Sequence, residues 1–487
     1  HIMNQNISQK HFDPSHSSKT LINQTHYMFH DHPVFFIALL FFTLFRLVLA
    51  YETPLVPNLS ESYDDGFLMN YTISISNGNW LGTYNYLTLA KNPGYSLFVA
   101  FNGSLGIRYQ LAFILLHIFA CTIASLAITP LIKSRRIRSI IYLFLLYMPA
   151  LFTYNFFQRT YMNGILIPLV LIVFSAYIAI FLRIDQKTKK LLPWVIIGGI
   201  ALAYFYQITE SSFWIIPFIV GSSIAIVVVS ITRAHHKRVP IHNVIRRCCL
   251  LIIPPFMLIV TTISICIANN FYYGVSVTNE RYQGAFFRAM SDLNRIDTGN
   301  QNQDVWISKT SLEKAIEYSP TLASIEPEVI TRWEAWISAC GTDEVPGDLG
   351  YWSLRESANQ AGWYSSATMA NSYWTSVAEE LEASFTSGDL KEKTGIYITS
   401  ATQPIPLNSF GKVILETLGT IKSLALNEVL STDNLVVQTG SGDAGTLSAV
   451  TEILGSNVLK EDGTSTYIPP LPGLAIVIGN ALKAPFL

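Results

Sequence analysis

Seven apolar runs, near 33–51, 109–131, 138–156, 163–182, 191–207, 213–231 and 248–269, alternate with short polar stretches over the first 270 residues. Each is long enough to cross the roughly 30 Å hydrocarbon core as a helix. None shows the period of two that a membrane barrel strand requires. The pattern predicts a multi-pass α-helical membrane protein with a seven-helix module over 33–269, followed by a mostly helical or α/β domain. The run at 191–207 is the weakest of the seven, being short and interrupted by Gly198 and Gly199. The stretch 93–107 is too short to cross and return. Pro93 suits the start of a short helix there and Gly103 and Gly106 its end, so it is expected in the outer interface or as a cap on the next helix.

Beyond 270 the pattern changes. Residues 270–396 read as a mostly helical, aromatic-rich domain, with Trp306, Trp333, Trp336, Trp352, Trp363, Tyr364, Tyr373 and Trp374 spread along it. From about 397, Thr, Ser, Gly, Val and Ile increase, and 434–439 reads as a strand entering a glycine-rich turn at 440–445. That turn lacks the lysine of a nucleotide-binding loop and is given no phosphate role. The apolar end, after Pro469, Pro470 and Pro472, reads as the beginning of a further membrane helix. At the other end, His1, Ile2 and Met3 look like a cloning remnant ahead of a polar tail, and the first apolar run reads as a retained helix rather than a signal peptide.

Charge orients these runs. The net charge of -1 conceals a split: residues 1–269 hold 19 Lys/Arg against 8 Asp/Glu, and residues 270–487 hold 13 against 25. An acidic soluble half is a poor partner for nucleic acid. The positive charges gather in three loops: Lys133, Arg135, Arg136 and Arg138; Arg183, Lys187, Lys189 and Lys190; and Arg233, Lys237, Arg238, Arg246 and Arg247 with His235 and His236. The positive-inside rule makes these cytoplasmic. Seven crossings then leave the tail 1–32 inside and 52–108, 157–162, 208–212 and everything after 270 outside. The five cysteines form no CxxC pair and imply neither a disulfide framework nor a zinc site.

On that arrangement Asp64 and Asp65 follow the first helix on the outer side. An acid pair there can serve as a general base or bind a divalent ion such as Mg or Mn. It can equally cap a short helix running to about Ser76, with Phe67, Tyr71 and Ile75 on one face. Trp80, Tyr84 and Tyr86 suit the headgroup zone, and Lys91 can pair with a lipid phosphate there. Arg159, after the third helix, can hold a phosphate or orient an acid. Glu210, after the fifth, can bind a metal, bind sugar hydroxyls or pair with Arg159. Arg355 and Trp352 are secondary candidates for contact with a donor or acceptor.

The pattern Tyr63, Asp64, Asp65, then Asn79, Trp80, Leu81, Gly82, Thr83, Tyr84, Asn85, then Lys91, Asn92, Pro93, Gly94, Tyr95 resembles bacterial membrane glycosyltransferases of the GT-C superfamily. The likeness covers roughly 33–270 and the start of the following domain, where Glu280, Phe286 and Ala289 fall in a similar pattern. It implies a GT-C-like module in the cell membrane and a polyprenyl-phosphate sugar donor. The acceptor would be a cell-envelope glycan, lipid or protein, and the site would lie on the outer face. It implies a catalytic aspartate at Asp64 or Asp65, with Lys91, Tyr95, Arg159 and Glu210 around the donor, and a single displacement that inverts the sugar. Two other classes compete: a flippase or transporter of lipid-linked sugars, and a surface glycan-binding membrane protein. A transporter needs charged groups near mid-helix. The polar candidates instead cluster at the outer rim.

Overall fold

The computed structural model describes residues 33–237, 240–299, 305–397, 404–406, 409–425, 435, 440–456 and 472–483. The described chain is helical, with isolated bridges but no strand among the described residues, so the α/β alternative for the second half is not met there. The strand expected at 434–439 lies outside the described residues except Leu435. In the membrane part the helices are α1 (Pro33–Glu52), α2 (Asp65–Ser76), α3 (Gly94–Ser104), α4 (Tyr109–Ala127), α5 (Arg135–Leu146), α6 (Asn163–Leu182), α7 (Thr188–Tyr206), α8 (Ile216–Lys237), α9 (Ile241–Cys248) and α10 (Ile253–Tyr273). Six described segments are long and apolar enough to cross a membrane, against the seven expected.

The missing one is the third run. Its helix α5 stops at Leu146, a 3-10 turn occupies Pro149–Phe152, and a π-turn occupies Tyr154–Gln158. Pro149 explains the stop, because it has no N–H to give and its ring crowds the preceding turn. The segment nonetheless joins the two ends of the bundle. At one end Arg183 donates to the carbonyl of Ala127 (2.6 Å) and Arg138 to the hydroxyl of Thr129. At the other, Gln110 donates to Thr53 O (2.8 Å) and Gln158 to Pro54 O (3.1 Å). Arg247 donates to Ile184 O (3.1 Å) and Arg233 faces Asp185 (3.6 Å), so all three basic loops gather at the first end.

Arg46 and His117 lie fully buried inside these spans, where the sequence reading expected ionisable groups to be scarce. Both serve the break. His117 meets Leu145 O (3.0 Å) and Arg46 Nη2 donates to Leu151 O (3.2 Å), which are carbonyls a continuous helix would have satisfied itself. The Arg46 guanidinium also lies over the rings of Phe152 (4.5 Å) and Phe157 (4.8 Å). Helix Pro472–Lys483, at the apolar end of the chain, packs here, with Gly479 directly against Phe152. Its described part is shorter than a span. Gly198 and Gly199 do not interrupt α7: added Cβ atoms would sit 2.7 Å from Ala176 Cβ and 2.6 Å from Met257 Sδ, so they let α7 close on α6 and α10.

In the second half, α11 (Gly284–Arg295), α12 (Lys309–Tyr318), α13 (Pro320–Ala323), α14 (Glu326–Cys340), α15 (Leu349–Gln360) and α16 (Ala367–Ser387) surround buried Trp333 and Trp374. Helices α17 (Phe410–Ala425) and α18 (Ala444–Leu454) follow. Arg355 of α15 ties this half to the loop between α1 and α4. It is wholly buried, pairs with Glu280 (2.5 Å), and donates to Tyr86 O (2.6 Å) and Thr88 O (3.0 Å). The expected aromatic belt belongs to the same seam: Trp80 donates to Asn269 (2.8 Å), and Tyr84 stacks on Tyr364.

Candidate functional site

Helix α2 begins at the acid pair, but neither carboxylate caps it. Both are drawn instead to the segment after the π-turn. Arg159 Nε donates to Asp65 Oδ2 (2.6 Å) and Nη2 to Asp64 Oδ2 (3.1 Å). Thr160 donates to Asp65 Oδ1 (3.3 Å), and Tyr161 to Asp64 Oδ1 (3.1 Å). Lys91 completes the group, with Nζ 2.8 Å from Asp64 Oδ1 and 3.3 Å from the Tyr161 hydroxyl.

The two acids differ in access. The Asp65 side chain has no exposed surface, whereas that of Asp64 is 39% exposed. They differ in proton affinity as well. Burial pushes the Asp65 carboxyl up to about 6, overcoming the attraction of Arg159. Burial also pushes Asp64 upward, but Lys91 and Arg159 outweigh it and hold the group below its usual range. The Arg159 guanidinium is held above its ordinary value by both acids, against the effect of burial.

A backbone device presents Lys91. Leu89 has a left-handed φ of 62°, which costs a non-glycine residue about 1–2 kcal/mol. The structure holds it there from both sides: Leu89 N donates to the Tyr71 hydroxyl (2.7 Å), and Glu280 N donates to Leu89 O (2.7 Å). Asn92 then locks the next segment. Its amide donates to Tyr206 O (3.1 Å) and Thr209 O (3.2 Å), and its backbone N–H donates to Glu210 Oε1 (3.3 Å).

The structure therefore brings Asp64, Asp65, Lys91 and Arg159 into one cluster and places Glu210 behind Asn92, bonded to its amide. Several of the other candidates are interior groups with protein partners. Lys91 is almost wholly buried and faces Asp64. Tyr95 is wholly buried and donates to the Tyr109 hydroxyl (3.0 Å). Arg355 and Trp352 are interior groups: the first fastens the loop, and the second, 3% exposed, backs Tyr63. The acids do not fit a divalent cation. Each Asp oxygen of the pair already accepts from Arg159, Lys91, Thr160 or Tyr161. No group of three His, Cys, Asp or Glu among the described residues is arranged to hold a metal.

The sequence reading missed Asn92, Thr160 and Tyr161. The last two directly follow Arg159, and that adjacency was the available signal. An apolar cavity of about 550 Å³ runs between α7, α8 and α10, lined by Leu202, Ile216, Val220, Val227, Leu251 and Leu258. Its wall runs from Ile216, the first residue of α8, to Leu251, just before α10. Comparison with protein-family models, with curated proteins and with solved structures finds no match for this chain.

Proposed function

We propose that the chain is a membrane glycosyltransferase that moves a sugar from a polyprenyl-phosphate donor to an acceptor at the outer face of a bacterial cell membrane. The observation that carries this reading is the accessible Asp64 carboxylate, fixed between Lys91 and Arg159 at the end of the bundle opposite the basic loops. Asp64 is the base, because Asp65 is sealed from any substrate. The acceptor oxygen bonds to the anomeric carbon while the bond from that carbon to the phosphate oxygen breaks. The electron pair leaves with the lipid phosphate, the hydroxyl proton passes to Asp64, and the sugar inverts.

Two details fit this chemistry. A carboxylate held by two cations is a weak base. A donor phosphate that draws Arg159 toward itself relieves Asp64 of one of them and makes it more basic as the leaving group gains charge. The apolar cavity between α7, α8 and α10 offers an isoprenoid chain a place that keeps it in the membrane.

One observation favours the alternative of a flippase. Arg46 and His117 are buried ionisable groups beside a broken helix, as a transport path would have. Both, however, are turned to the carbonyls of the break. One experiment separates the readings: incubate the purified protein with a panel of polyprenyl-phosphate sugars and follow release of the lipid phosphate. Release that disappears in Asp64→Asn supports transfer. Equal release in wild type and variant removes Asp64 as the base, and movement of intact donor across vesicles without release favours the flippase.

A further inference from the structure

Tyr63, next to the base, opens a surface that the displacement itself does not use. Its ring stacks on Trp352 at 4.7 Å and lies 6.5 Å from the ring of Trp336. Its hydroxyl donates to Glu356 Oε2 (3.1 Å), and Glu356 Oε1 holds Arg332 (2.7 Å). Tyr63, Trp336, Arg332 and Glu356 all keep some solvent-exposed surface. The indole N–H of Trp336 is itself buried and has no partner among the described residues.

Packing the loop on α14 and α15 requires only apolar rings. Here a carboxylate–guanidinium pair, Glu356 with Arg332, lies at the edge of the Tyr63 ring, bonded to its hydroxyl, and is only partly buried. That combination matches a pyranose: its C–H faces lie on aromatic rings, and of two adjacent hydroxyls one donates to the carboxylate while the other accepts from the guanidinium. A hydrocarbon acceptor would have to desolvate the pair without compensation. We propose that the Tyr63–Trp336–Glu356–Arg332 surface binds the acceptor, and that the acceptor is a saccharide. The inference rests on the glycosyl-transfer reading, since Tyr63 precedes Asp64 and a sugar seated there delivers a hydroxyl to that base.

The test uses the full chain in detergent, with undecaprenyl-phosphate glucose, galactose and mannose as donors. The acceptors are methyl glycosides of glucose, galactose, mannose and N-acetylglucosamine, alongside a Ser/Thr-rich peptide. Trp336→Leu and Glu356→Gln are expected to raise the saccharide KM about tenfold with kcat within about twofold, and to leave acceptor-independent donor hydrolysis unchanged. Saturation-transfer NMR should report saccharide contact in wild type and in Asp64→Asn, and its loss in Trp336→Leu. An unchanged KM, or transfer to the peptide alone, overturns the acceptor assignment while leaving the enzyme reading standing. Should wild type consume no donor, the enzyme reading fails. The NMR experiment then decides the surface by itself, a Trp336-dependent signal supporting it and no signal overturning it.

Discussion

Arg159 reaches both acids of the adjacent pair but is fixed by Asp65: its Nε lies 2.6 Å from a carboxylate with no exposed surface. On the proposed reading Asp65 is a positioning residue and Asp64 the reacting one. Asp64→Asn should reduce transfer by about 10²–10⁴-fold, the usual contribution of a general base. Asp65→Asn should cost about 10²-fold through a misplaced Arg159. Comparing kcat at saturating donor in the two variants checks this ranking, and the opposite order would exchange the roles.

The same pair predicts a dependence of stability on pH. Asp65 titrates near 6 in the folded protein, above its unfolded value of about 3.9. Between these values the folded state binds the extra proton, so this group's contribution to stability falls as pH rises from about 4 to about 6 and is fully lost above that. Asp64 is shifted the other way, and its contribution is lost only on acidification below its ordinary range. Asp65→Asn mimics the protonated acid. Its melting temperature should match or exceed that of wild type near pH 7.5, and the difference should shrink toward zero near pH 4.5. A variant that melts well below wild type at pH 7.5 would show that the ionised pair stabilises the fold.

Arg46 is a buried cation with Nε and Nη1 unpartnered among the described residues. Its remaining contacts all hold the 149–158 break that delivers Arg159. Replacing a buried charge by an apolar side chain of similar volume is often neutral or stabilising. Arg46→Met should therefore keep its melting temperature but transfer more slowly, because the turn before Arg159 loosens. A large loss of stability with unchanged specific activity would make Arg46 a structural residue only.

How much of this was legible depended on the distance over which each residue's partners lie. The spans, the α2 boundaries and the basic loops follow from local hydropathy, charge and turn residues. Asp64, Lys91 and Arg159 were visible as polar residues at helix ends on one side. What the sequence hid were pairings across tens of residues. Lys91 turns inward because Asp64 waits 27 positions earlier, and Arg355 is buried because Glu280 and two loop carbonyls receive it. Gly198 and Gly199 read locally as a weakness, but their purpose appears only with Ala176 and Met257 in place. The break after Leu146 was masked by hydropathy, which registers Pro149 poorly, although the proline was there to be read.

The Arg355–Glu280 pair should be the fastening of the 78–92 loop. Arg355→Ala leaves Glu280 buried without its cation and should cost about 3–5 kcal/mol. The loss should be local, seen as faster protease cleavage within 78–92 before global unfolding. Arg355→Met combined with Glu280→Gln removes both charges and should recover much of the protection. No recovery in the double variant would mean that the bonds to Tyr86 O and Thr88 O, not the ion pair, hold the loop.

Gly94 explains the glycine of the Pro-Gly-Tyr stretch. Its N–H donates to Gln207 O (2.8 Å), the Tyr204 hydroxyl donates to its carbonyl (2.8 Å), and an added Cβ would lie 2.2 Å from Gln207 O. The obstacle is backbone, which cannot swing aside. Gly94→Ala must push α3 away from the end of α7, and with it Asn92, whose amide grips Tyr206 O and Thr209 O. Overpacking of this kind costs about 1–3 kcal/mol. Gly221, within α8, has nothing within 4 Å of its added Cβ, so Gly221→Ala should be neutral or stabilise the helix by up to about 1 kcal/mol. Thermal melts of the two variants in one detergent provide the comparison. Equal melting temperatures would mean that α3 and α7 are not in contact at Gly94, and the position of Lys91 beside Asp64 would then need another cause.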